Sequence, residues 1–148
     1  MTDFQMSPST AVTFENLEWD LTPPGQRKTL GGTLAISSLT AAQHFPNGYI
    51  ASGLVVALAT TGANSGLLVP YLNAATAGLG DVAAGILVHS VPVTRLVGGS
   101  NRAKIGVAFM VAGMVSVSKL PFTVGNAAAG GYLDAAARVD LPQIFYAA

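Results

Sequence analysis

The chain has 148 residues, 51% of them hydrophobic and 9% charged, with 7 Lys and Arg balancing 7 Asp and Glu and no Cys. An ordinary soluble domain carries about 25% charged residues, so this one either hides part of its surface in something larger or keeps water with neutral polar groups. Its length suits one domain around one core, the lack of Cys excludes disulfides, thiol nucleophiles and thiolate metal sites, and zero net charge argues against direct nucleic-acid binding.

The charges divide the chain. Residues 1–26 hold Asp3, Glu15, Glu18 and Asp20 with no base, hence −4, while the remainder holds all seven bases and three acids, hence +4. The first segment contains Ser7-Pro8-Ser9-Thr10 and closes on Thr22-Pro23-Pro24-Gly25-Gln26, a stiff linker that continues neither a helix nor a central strand. This reads as an extended, detachable arm over residues 1–28 and a body over 29–148. Within the arm, Leu17, Trp19 and Leu21 alternate with Glu18 and Asp20, the period of a strand with one apolar and one acidic face. So short a strand needs a partner, either the chain's own sheet or the sheet edge of another protein. The single Trp lies here, and Trp is enriched among residues that dominate interface energetics.

The body reads as mainly β with minor α. Pro46-Asn47-Gly48 is a turn that launches a strand over 49–58. A polar loop over 60–66 leads to a short strand over 67–71, and the Ala- and Gly-rich stretch 73–80 has room for a turn of helix. Residues 82–93 form an apolar run broken by Gly85 and Pro92, followed by a loop at 98–102. From Ile105 to Val117 the odd positions are mostly large and β-branched and the even ones mostly small. That pattern predicts a long strand, or two joined at Gly113, whose bulky face fills a small barrel or sandwich core. A two-turn helix over 132–139, with Leu133 and Ala137 on one side, stops at Asp140-Leu141-Pro142, and 143–146 is a last short strand.

No segment approaches the about 20 consecutive apolar residues of a spanning helix. The longest, 105–115, is bounded by Lys104 and by Ser116, Ser118 and Lys119. Met1-Thr2-Asp3 lacks the layout of a signal peptide, so no membrane partner and production in the cytoplasm are expected. Catalytic groups are sparse. His44 and His89 are isolated, and isolated histidines are mostly surface or satisfied core residues. Asp134 and Asp140 suit helix boundaries. Residues 78–83 match a loose dinucleotide-loop form without the strand, helix or distal acid that would support it. In Gly62-Ala63-Asn64-Ser65-Gly66 the Ser falls one place late for a nucleophile elbow. The expectation is therefore no enzyme, no metal and no cofactor, with a small β-barrel binding an apolar ligand as the alternative function.

Several segments resemble the head decoration proteins of tailed bacteriophages, the family typified by the phage lambda decoration protein D, and most resemble versions from phages of actinobacteria. They are His44 to Gly53, Val69-Pro70-Tyr71 with the Ala-Ala-Thr-Ala-Gly after it, Ala84 to Leu87, Leu120-Pro121, and Leu133 to Ile144. The resemblance covers about residues 30–146. It implies a small tulip-like β body with an extended N-terminal arm, assembled in the host cytoplasm into the virion. There it forms a homotrimer on the outer surface of an expanded capsid and clamps the major capsid protein against packaging pressure. By the same resemblance the arm orders as an added strand on the capsid protein. Leu17, Trp19 and Leu21 are then the docking contacts, Phe14 comes next, and Glu18 and Asp20 offer an acidic face to a basic stretch of that partner.

Overall fold

The computed structural model describes residues 15–94, 101–122 and 129–148. Along them run β1 (Lys28–Ala35), α1 (Ala41–His44), β2 (Tyr49–Ile50), β3 (Val55–Leu58), β4 (Leu68–Pro70), β5 (Ala83–Leu87), β6 (Val91–Pro92), β7 (Lys104–Ser116), α2 (Ala135–Asp140) and β8 (Ile144–Ala147). The expected mainly β fold with minor α is present. Five strands in the order β1-β4-β3-β5-β7 close into a mixed barrel, because β7 pairs with β5 on one side and with β1 on the other. The β1–β7 seam is antiparallel and runs from Lys28 opposite Ala112 to Ala35 opposite Lys104. The contact of β1 with β4 is parallel, at Leu34 opposite Leu68. β2 and β6 form a separate antiparallel pair, and β8 extends the sheet parallel to the last residues of β7.

Side-chain alternation builds two apolar layers from the same strands. Ile105 and Phe109 of β7 pack with Leu34, Val56, Leu68 and Leu87, joined by the half-buried Val107 and Val111, and this cluster fills the barrel. Val55, Ala57, Ile86 and Met110, the intervening positions, form an outer layer. It is covered by Trp19 from the N-terminal side and by Leu133, Ala137, Leu141 and Ile144 from the C-terminal side. The bulky odd face expected of 105–117 is thus the barrel lining, as far as Val111. Beyond Gly113 the phase slips by one, and Val115 joins Met110 in the outer layer. Gly113 has no side chain for a physical reason, since a Cβ there would come 2.5 Å from Thr22 Oγ1 and 2.6 Å from Met110 Sδ.

Other expectations shift in detail. The strand expected over 49–58 splits into β2 and β3, because the chain turns at Gly53 with φ of 97°. A Cβ at Gly53 would also meet Pro121 at 2.7 Å. Residues 73–80 are turns rather than helix, and 82–93 divides into β5 and β6. The last helix is α2, capped by Asp134, whose carboxylate accepts from Ala137 N–H at 2.7 Å. Residues 98–100 of the expected loop lie outside the described residues.

Candidate docking surface

Residues 15–21 form a strap that lies on the body, where an extended and detachable arm was expected. The chain turns at 17–20, with Asp20 N–H donating to the Leu17 carbonyl at 3.0 Å, so the strict alternation of a strand is lost there. Trp19 swings inward and is completely buried. Its Nε1–H donates to Ser52 Oγ at 3.1 Å, and the Ser52 hydroxyl donates to the Asn16 carbonyl at 2.8 Å. The strap then pairs with the chain's own sheet, Asp20 opposite Val115, through Ser116 N–H to the Trp19 carbonyl (2.7 Å) and Leu21 N–H to the Met114 carbonyl (2.9 Å). It occupies the edge of β7 that β1 occupies further along.

The acids of the strap are spoken for by the same chain. Glu15 accepts from Ser90 N–H and faces His89 Nδ1, both at 3.0 Å. Glu18 lies 3.6 Å from Lys119 Nζ. Asp20 meets Arg27 at 2.5 Å and accepts from Thr22 N–H at 3.0 Å. Burial on its own would raise the Asp20 pKa, but the hydrogen bonds from Thr22 and the Arg27 charge outweigh it and hold the carboxyl below its ordinary value. The acidic face read at Glu18 and Asp20 therefore meets bases of its own chain. Of the six candidate docking residues, Leu17 and Leu21 are exposed, Glu18 is exposed beside Lys119, Asp20 is half-buried, Trp19 is in the core, and Phe14 lies outside the described residues.

Between strap and β1 stands a projecting loop, 22–27. Gln26 N–H donates to the Pro23 carbonyl at 3.1 Å, with Pro24 and Gly25 at the central positions and Gly25 at φ of 79°, the arrangement of a type II turn. Thr22 Oγ1 accepts from Met114 N–H at 2.9 Å, and the Asp20–Arg27 pair closes the base. The loop is thus held at both ends. Beside it runs a groove of about 220 Å³ whose lining, including Thr22, Pro23, Gln26, Met114 and Phe145, carries no charged side chain. Met114 and Phe145 are register partners on β7 and β8, and Phe145 is 72% exposed. With Leu21 they make an outward apolar patch that the sequence reading did not include. Its signal was there in the last strand, where Phe145 stands between Ile144 and Tyr146 and so faces away from the layer they join.

The titratable groups elsewhere serve structure. His44 is buried, with Nδ1 accepting from Thr40 N–H at 2.8 Å, so Nε2 carries the proton and donates to the Gly130 carbonyl at 3.1 Å. Desolvation keeps its pKa below the ordinary value against the opposing pull of those backbone contacts. Tyr71 O–H donates to Asp134 at 3.1 Å, and burial, aided by that carboxylate, pushes the phenol up. Asp140 accepts from Ala83 N–H and Asp81 from Gly78 N–H. Among the described residues no three His, Asp or Glu side chains are grouped to hold a metal ion, and no helix is long and apolar enough to cross a membrane. No family model, no curated protein and no solved structure matches the chain.

Proposed function

We propose that the chain is a structural cement protein that binds as a homotrimer to the outer surface of an expanded phage head and clamps neighbouring major capsid proteins against packaging pressure. The observation that carries this reading is the uncharged apolar patch of Leu21, Met114 and Phe145 beside a rigid loop, on a barrel whose interior is filled. A chain of this kind has its binding surface outside. The buried cluster of Leu34, Val56, Leu68, Leu87, Ile105 and Phe109 inside the barrel favours this reading over the apolar-ligand alternative. The segments that carry the resemblance supply β2, β4, β5, α2 and the start of β8, the elements that shape the body.

Single contacts of this size bind weakly, since ordering and docking costs consume much of what burial contributes. Three copies held together convert later contacts into intramolecular ones and raise avidity by about 10² to 10⁴. The decisive experiment compares electron-microscopy maps of undecorated expanded heads of the phage encoding this chain, with and without the purified protein. Density at the threefold and quasi-threefold positions that saturates with added protein is expected; heads that stay bare at saturating concentration overturn the reading. The role of the arm is tested by removing residues 1–14, which leaves Trp19 in place. Removing 1–28 would also take away the Trp19 plug and so confuse docking with folding.

A further inference from the structure

β8 ends the sheet, and among the described residues no strand lies along its outer edge. Its side chains alternate between two unlike environments. Phe145 faces the uncharged groove with Met114 and the Thr22–Gln26 side of the loop, whereas Tyr146 faces the other way and carries the Arg138 guanidinium 5.4 Å over its ring. A strand added to this edge would present its own side chains alternately to the same two faces.

The charges say what those side chains should be. Glu15, Glu18 and Asp20 pair with His89, Lys119 and Arg27. Asp81, Asp134 and Asp140 accept from backbone N–H groups. Arg138 forms no ion pair among the described residues, and neither does Lys28, whose register partner Ala112 lines the groove. Among the described residues, the cations bordering β8 and its groove thus have no carboxylate within ion-pair distance. We infer that the β8 edge accepts one extended strand of the shell protein in which apolar residues, seated against Phe145 and Met114, alternate with acidic residues facing Arg138. This deepens the cement reading and rests on it, and it reverses the charge sense read from the sequence, placing the acids on the partner.

The test uses the full chain and undecorated expanded heads of the encoding phage, with occupancy measured at low and high salt for the unaltered protein, Phe145→Ser and Arg138→Glu. Thermal melts check that each variant is folded, and Arg102→Glu, on a residue just before the start of β7, whose far end pairs with β8, serves as control. Phe145→Ser and Arg138→Glu are each expected to weaken head binding at least tenfold, with Arg138→Glu also losing most of the salt dependence and Arg102→Glu unchanged. If the unaltered chain binds no heads, the cement reading falls and this inference with it. If it binds and both variants bind equally well, this inference alone is overturned. Variants that decorate heads normally but lose self-association in native mass spectrometry would assign the edge to a second copy, and that too overturns it.

Discussion

Trp19 shows how one residue can carry a segment. Its indole fills a site in the outer layer and its N–H has a single partner, Ser52 Oγ, which in turn holds the Asn16 carbonyl. Trp19→Ala should cost about 3–5 kcal/mol, the range for emptying an aromatic site in a core. Ser52→Ala should cost about 1–3 kcal/mol because it leaves a buried N–H unsatisfied. Chemical denaturation of both variants checks the ranking, and equal effects would contradict it. His44 predicts a pH dependence. Its folded pKa lies below the ordinary 6.5, so the unfolded state binds the proton more readily, and stability falls as pH drops through about 6.5 toward the folded value. His44→Asn, which keeps an acceptor for Thr40 N–H, should flatten that part of the profile while lowering the plateau. The Asp20 contribution is lost in a separate window, as pH falls below 3.8. The isolation of His44 allowed either a surface or a satisfied core residue, and the structure places it in the core at the end of α1. That Trp19 would turn inward was not legible, because a period of two describes side-chain direction only while the backbone stays extended, and a turn at 17–20 reverses it.

Among the elements, β7 was the most legible, since its alternation of bulky and small residues is the signature of a barrel strand with one face filling a core. The slip at Gly113 was legible only as a possible joint, because what demands a glycine there is Thr22, ninety-one positions earlier in the chain. β3 and β5 show the same dependence on distant partners. Gly85 stands opposite Val56, and a Cβ on it would meet Phe109 Cδ2 at 2.5 Å and the Met110 carbonyl oxygen at 2.6 Å. Backbone cannot move aside as a side chain does. Gly85→Ala should therefore destabilise by about 1–3 kcal/mol through overpacking, whereas Gly31→Ala, with nothing within 4 Å of its Cβ, should change little. Calorimetric melts of the two variants side by side test this, and a Gly85→Ala protein as stable as Gly31→Ala would refute the packing at the β5–β7 seam. Residues 73–80 misled because Ala-rich composition favours a helix while Gly78 and Gly80, with φ of 82° and 120°, enforce turns.

For the whole molecule, the −4 and +4 halves of the sequence meet within the fold. Glu18 and Asp20 sit against Lys119 and Arg27, and Glu15 faces His89, so these contacts help to seat the strap on the body. Exposed pairs of this kind contribute about 0–1 kcal/mol each and are screened by salt. Raising ionic strength to 1 M should accordingly lower the melting temperature only slightly and leave Trp19 fluorescence blue-shifted. A large red shift would mean that charge, and not the indole site, holds the strap. Removal of residues 1–21, which takes the buried Trp19 indole with it, should collapse the melt. The place of the exposed apolar patch was not legible, because it joins Leu21, Met114 and Phe145 from three distant stretches of the chain. The projecting loop adds a mechanical consequence. From Asp20 to Lys28 the chain advances eight residues while β7 opposite advances three, from Val115 to Ala112, which leaves five in reserve. Paid out straight, they add about 17 Å. A tug on the N-terminus would first unseat the strap and then draw on this slack before any load reached β1, so the barrel has a tether with a built-in fuse.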